Sequence, residues 1–190
     1  MFVAVVPPIE AIEDLADFVE PRQAHDAATS PLRWTPQEHW HLTLAFMPQV
    51  ADRNVDDFIE RLHAAAAKRA AFELQVFGAG AFPNPAMAKV LWGGVRGDLE
   101  ELRRLSVGAR NAAATSGIEV DGAEFRPHLT LARMNSATHL GKWLQVFDTY
   151  AGPVWRVDEI ELIESHLGEG SRGRARYHTL ETIALGSETA

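Results

Sequence analysis

The chain carries one five-residue string twice. His41-Leu42-Thr43-Leu44-Ala45 returns as His128-Leu129-Thr130-Leu131-Ala132, an offset of 87 positions in a chain of 190 residues. Self-similarity on that scale points to two related half-chains. Histidine gives and takes a proton near neutral pH, with an ordinary pKa of about 6.5. Threonine offers a hydroxyl that donates to an oxygen. Two of each at one place suit phosphoester cleavage by a paired acid and base. A neutral imidazole takes a proton from the attacking nucleophile, and an imidazolium returns one to the leaving oxygen. The hydroxyls donate to the non-bridging oxygens, where charge accumulates. Each such proton transfer contributes roughly 10²–10⁴-fold.

Both copies alternate polar and apolar residues, the signature of a strand with two unlike faces. Alternation puts His41, Thr43 and Ala45 on one face and Leu42, Leu44 and Phe46 on the other, against helices. It puts His128, Thr130 and Ala132 opposite Leu129 and Leu131 in the second copy. A two-fold relation between the halves would set the histidine faces across a shared groove. A run of turn and periodicity signals surrounds these strands. They predict a strand over Phe2–Val6, a helix over Ile9–Arg22, and a proline-bounded stretch over Pro31–Pro36. A helix capped by Asp52 and running to about Ala70 follows the first copy. Strands over Phe72–Phe77 and Met87–Trp92 come next, split by a loop over Gly78–Pro85. Then come a helix over Asp98–Ser116 stopped by Gly117, a short helix near Ala137–Phe147, and strands over Val154–Val157, Glu159–Leu167 and Arg176–Leu185. The glycine-rich Gly168–Gly173 segment reads as a mobile loop. The expected fold is α+β and bilobal: two antiparallel sheets related by a pseudo-two-fold, helices outside, a groove between, and residues 1–190 in a single domain.

Composition narrows the chemistry. Acidic residues number 26 against 18 basic, a net charge of −8, which argues against a general nucleic-acid surface but not against a small phosphate ester held locally. The chain has no cysteine, so disulfides and thiolate zinc sites are excluded. Gly78-Ala79-Gly80 lacks the third glycine of a dinucleotide fingerprint, and no Gly-Lys-Ser/Thr occurs, so no nucleotide cofactor is expected. Met1 to Pro8 has no basic segment and breaks at prolines, so it reads as a strand rather than a signal peptide. No apolar run reaches membrane length, and the expectation is a cytoplasmic monomer without a membrane partner.

The paired His-x-Thr resembles the 2H phosphoesterase superfamily, and within it the RNA 2′,3′-cyclic phosphodiesterases also known as 2′-5′ RNA ligases. The likeness covers most of the chain. It takes in Phe2-Val3-Ala4-Val5, Arg33-Trp34, His41 to Phe46, Gly80-Ala81-Phe82-Pro83, Val90-Leu91-Trp92, Phe125 to Arg133, Glu164-Ser165 and the strand around Tyr177. The resemblance implies hydrolysis of a nucleoside or RNA-terminal 2′,3′-cyclic phosphate to a 2′-phosphate, without metal or other cofactor. It implies that His41 protonates the departing 3′ oxygen and His128 activates water. Thr43, Thr130 and Arg133 become phosphate ligands, and Phe46 an aromatic near the base. Strict alternation conflicts with the last two, because it turns Phe46 and Arg133 away from the histidines unless the strand twists, bulges or ends there.

Other residues carry weaker signals. His39 and His41 form a His-x-His pair, but no third ligand follows, so a metal is not expected. Arg172, Arg174 and Arg176 could touch an RNA backbone, though a solvated loop is the plainer reading. His166 and His178 read as surface or core rather than groove. The readings left open are the ligase direction on 2′-5′ linkages, a phosphodiesterase for a small cyclic nucleotide, and a module that binds a nucleotide without turning it over.

Overall fold

The structure is a computed structural model that describes residues 1–26, 31–166, 168–169 and 175–186. Its centre is β1 (Phe2–Val5), a strand buried on both faces and ended by Pro7 and Pro8. Helix α1 (Ile9–Asp26) follows and outruns the expected end at Arg22. Pro21 does not break it, although a proline removes one backbone bond. In that turn the Arg22 guanidinium donates to the Phe18 carbonyl and lies 3.9 Å from the centre of the Phe18 ring. The proline-bounded stretch contains a strand that the sequence did not announce, β2 (Leu32–Trp34).

The remaining elements are β3 (Leu42–Phe46), α2 (Val55–Ala66), β4 (Phe72–Phe82), β5 (Ala88–Gly97), α3 (Leu99–Thr115), β6 (Leu129–Thr138), α4 (Gly141–Phe147), β7 (Ala151–Val157), β8 (Glu159–His166) and β9 (Arg176–Ala184). Three further element boundaries need correction. Asp52 begins a 3-10 turn rather than capping α2, and the helix stops at Ala66, whose carbonyl accepts from the Gly186 amide. The expected Gly78–Pro85 loop is strand as far as Phe82. Gly78 takes a positive φ of 63° where the β4–β5 register shifts, and Gly80 makes room for a large ring: a Cβ there would sit 2.1 Å from the Trp92 indole. Finally, β6 runs on to Thr138 because it has strand partners along its length, which leaves only Gly141–Phe147 for the helix expected from Ala137.

The two expected antiparallel sheets are joined into one by the pairing of β3 with β6, in the order β7-β4-β5-β6-β3-β1-β8-β9, with β2 added on β6. It falls into two quartets, β6-β5-β4-β7 and β3-β1-β8-β9, each read outward from a repeat strand. They meet where Leu42 pairs with Leu129, the same position of the two copies. A pseudo-two-fold axis must pass between equivalent residues, and here it does. Beyond that seam β6 takes β2 as its partner at residues 132–134.

Both repeat strands bulge at equivalent places. Ala45 pairs with Val3 and Thr43 with Ala4, so Leu44 is the extra residue of β3. Ala132 pairs with Leu91 and Thr130 with Trp92, so Leu131 is the extra residue of β6. A bulge leaves one residue outside the ladder, and its freed carbonyl needs a donor. The buried Ser106 hydroxyl of α3 donates to Leu44 O at 2.6 Å, and the Thr35 amide after β2 donates to Leu131 O at 2.8 Å. The bulges place Leu44 with Ala45, and Leu131 with Ala132, in the core. Ala45 and Ala132 therefore do not share the histidine face as strict alternation requires. The helices cover the core side, with α3 against β3 and α2, and α1 against β7. No described helix is long and apolar enough to cross a membrane.

Candidate active site

The seam dictates the centre of the site. With Leu42 opposite Leu129 and both buried, the flanking residues of the antiparallel pair turn to the other face. The register carries His41 toward Thr130 and His128 toward Thr43. The two histidines are then diagonal neighbours, about 7–8 Å apart at their backbones, a gap that a phosphate can fill. All four residues line one groove of about 830 Å³ together with Phe46 and Arg133. A second arm of about 520 Å³ shares Thr43, Phe46 and His128 and runs toward Phe82, Phe125 and Arg126.

Phe46 and Arg133 reach the groove because of the bulges. One extra residue resets the alternation, so Phe46 and Arg133 return to the face of the histidines. They are equivalent residues of the two copies: the aromatic ring stands at one end of the pair and the guanidinium at the other. Phe46 is 42% exposed, which sets aside its reading as a core residue.

Each imidazole is tied to backbone two residues upstream. The His128 Nδ1–H donates to Arg126 O at 2.6 Å, which leaves Nε2 without the proton in the neutral ring. His41 makes the equivalent bond to the backbone of His39. Aromatic side chains then dry both rings. Phe2 stacks on His41 with centroids 4.6 Å apart, and Tyr177 meets it edge-on at 5.7 Å. Phe82 meets His128 edge-on at 5.1 Å, with Trp92 at 6.1 Å. Burial lowers the His41 pKa to about 4; the backbone bond to His39 opposes this, and the nearby His39, His128 and Arg133 charges add to it. Burial also lowers that of His128, with the Arg126 carbonyl opposing and the Arg133 charge adding. Both shifts favour the neutral imidazole at pH 7. An anion arriving between them would favour the imidazolium form again.

Of the other candidates, His39 also lines the groove. His39 sits beside Tyr177 at 4.3 Å, and among the described residues no three His, Cys, Asp or Glu side chains gather as a metal set would. His166 pairs with Glu164 at 3.0 Å and His178 is exposed on β9; neither lines the groove. Arg176 binds Glu169 at 2.8 Å, while Arg172, Arg174 and most of the Gly168–Gly173 loop lie outside the described residues. Phe2, Arg33, Ser165 and Tyr177 also line the groove; the family resemblance takes in all four, but the sequence pattern assigns none of them a role there. They come from strands remote in sequence, and only the sheet order brings them together.

Comparison with known proteins agrees with this geometry. The pattern of the 2′-5′ RNA ligase superfamily matches residues 5–169. The RNA 2′,3′-cyclic phosphodiesterase of Aeropyrum pernix is 32% identical over 161 residues, 83% of this chain and 88% of that protein. A crystal structure from Thermus thermophilus superposes with a TM-score of 0.76 at 26% identity over 98% of both chains. E. coli LigT complexed with 3′-AMP superposes with a TM-score of 0.71 at 26% identity, over 97% of this chain and 96% of that one. The paired histidine strands, the antiparallel sheet around them and a match over most of the length lead to one assignment: the chain belongs to the 2′-5′ RNA ligase superfamily, the LigT-like 2H phosphoesterases.

Proposed function

We propose that this protein hydrolyses the 2′,3′-cyclic phosphate of an RNA 3′ end or a nucleoside to a 2′-phosphate, with His41 and His128 as the catalytic pair. The observation that carries the reading is the seam: one antiparallel pair, Leu42 with Leu129, sets two imidazoles and two hydroxyls around one phosphate-sized gap. The activity named for the Aeropyrum relative and the nucleotide complex of LigT support the substrate class.

His128, with its Nδ1–H held by a carbonyl, presents Nε2 as the base that takes a proton from water. The oxygen of that water attacks phosphorus and the bond to the 3′ oxygen breaks. His41, loaded with a proton once the anionic phosphate is bound, gives it to that oxygen. A ring that resists protonation is a strong acid when forced to carry the proton, and the low pKa of His41 suits it to this step. Thr43, Thr130 and Arg133 hold the phosphate oxygens, and Phe46 offers a face to the base. The chain supplies both proton transfers and the charge stabilisation itself, so the reaction needs no metal. The reading takes residues 1–190 as one bilobal domain acting as a monomer; one sheet running through both quartets, and a groove lined by both, support the single domain.

The test is incubation of chelator-treated protein with a nucleoside 2′,3′-cyclic phosphate and with an oligonucleotide ending in one, separating 2′- from 3′-phosphate products. Formation of the 2′-phosphate is the expected result. Exclusive 3′-phosphate, or activity that appears only on adding a divalent metal, would overturn it.

A further inference from the structure

Arg33 and Arg133 are direct cross-strand partners on β2 and β6. Both line the groove that holds the histidines. Like charges directly opposite on a sheet repel and destabilise the pair, and a partner anion normally relieves them. Among the described residues neither arginine has a carboxylate within ion-pair distance. The Arg33 side chain instead engages a neutral group: its Nη1 donates to Asn135 Oδ1 at 2.9 Å, two residues along β6 from Arg133. The other arm of the groove differs. There Arg126 is engaged by Glu124 at 3.0 Å, and Arg110 donates to the Asp121 carbonyl. Among the described residues, a pair of adjacent cations without a carboxylate thus stands at the β2 end of the groove.

We infer that Arg33, with Arg133 beside it, forms a second anion subsite at the β2 end of the groove, shaped for the phosphodiester that precedes the cyclic phosphate in an RNA chain. The inference rests on the function proposed above and adds a direction to it. Arg133 spans the reacting phosphate and its neighbour, and Arg33 holds the neighbour. The RNA upstream of the terminal nucleoside leaves the catalytic centre over β2, not past Phe82 and Phe125. An acidic chain then needs no extended basic surface to prefer an RNA end, because one further phosphate contact distinguishes an RNA end from a free nucleoside.

The experiment compares three substrates: a nucleoside 2′,3′-cyclic phosphate, the same compound with a 5′-phosphate, and a dinucleotide ending in the cyclic phosphate. Each is turned over by the wild type and by Arg33→Met. Losing a charge-assisted contact should lower kcat/KM for the two substrates with a second phosphate by about tenfold relative to the first. The salt dependence for the dinucleotide should weaken by about 0.7 in log–log slope. Arg33→Lys should keep part of the preference. A uniform loss on all three substrates, or a loss confined to the dinucleotide, would overturn the subsite. The first would make Arg33 a structural residue and the second a contact to the extra nucleoside. Anisotropy of a labelled oligonucleotide with a 3′-phosphate supplies a readout independent of turnover. If the wild type turns over none of the substrates, the proposed function fails, and weaker binding by Arg33→Met still decides the subsite.

Discussion

His41 and His128 are built as equivalents, each tied to backbone two residues upstream, yet their surroundings differ. Phe2 covers a face of His41, whereas His128 meets ring edges. If both transfer protons in one event, His41→Ala and His128→Ala should each reduce turnover by several orders of magnitude. The double variant should be little worse, because groups acting as a unit are not additive. Thr43→Ala and Thr130→Ala each remove one donor to developing charge and should retain partial activity. Steady-state rates on a cyclic mononucleotide check this; a histidine replaceable at a few-fold cost would refute the pair. The depressed pKa values add a pH signature. In the free protein both rings lose their protons below the ordinary 6.5, so kcat/KM should be bell-shaped with its optimum on the acid side of 6.5. The kcat profile should lie at higher pH, because bound phosphate favours an imidazolium. The same shift works on stability. Between pH 6.5 and about 4 the unfolded chain binds a proton that folded His41 refuses. Stability from this source is therefore complete above 6.5 and falls as the pH drops toward 4, by about 1–3 kcal/mol allowing for partial exposure of the ring. Denaturant melts of His41→Gln across that range should show a flatter curve than the wild type; parallel curves would locate the acid sensitivity elsewhere.

At the scale of elements, the bulges carry the site. Period-two alternation read correctly at His41, Thr43, His128 and Thr130, because those residues precede the extra residue in each strand. It misplaced Ala45, Phe46, Ala132 and Arg133, because a bulge is written in the partner strand's register and in remote donors such as Ser106, and neither shows in the local pattern. The glycines of β4 misled for a related reason: Gly80 is a strand residue that accommodates the Trp92 ring, and composition alone reads it as a turn. These attributions predict two losses. Ser106→Ala leaves the buried Leu44 carbonyl without its donor, which should cost about 1–2 kcal/mol. It should also raise KM more than it lowers kcat, since Phe46 follows the bulge and the reacting atoms do not. A stability loss with unchanged kinetics would show that the bulge holds without Ser106. Gly80→Val should drive the Trp92 ring off its seat and toward His128. A change in tryptophan fluorescence together with lower turnover is expected, and activity at the wild-type level would sink this account of Gly80.

The two quartets of strands could in principle behave as separate lobes, since β3 and β6 meet at the single register pair of Leu42 with Leu129. The helix layer opposes that separation. Helix α1 follows β1 of one quartet yet packs on β7 of the other, while α3 follows β5 of the second quartet yet packs on β3 of the first. The crossing is pinned by Asp14 of α1, whose carboxylate accepts from the Tyr150 hydroxyl at 2.7 Å, and by Phe18 against Phe147 and Tyr150. Burial, and then the Asp14 carboxylate, push the Tyr150 phenol well above its ordinary range, so it remains a donor throughout the working pH range. A groove whose walls belong to different quartets needs such a brace, because its histidines must keep one separation. The chain should therefore unfold in a single transition, with far-UV circular dichroism and tryptophan fluorescence giving the same midpoint in denaturant. Tyr150→Phe removes the hydroxyl and leaves a part-buried carboxylate oxygen without that donor. It should lower stability by about 1–3 kcal/mol, keep the transition single, and reduce turnover of a cyclic mononucleotide only modestly. If the two probes separate in the wild type, the quartets fold independently. If they separate in Tyr150→Phe alone, the bond between Asp14 and Tyr150 is what couples the lobes, and the apolar contacts of Phe18 count for less than the structure gives them.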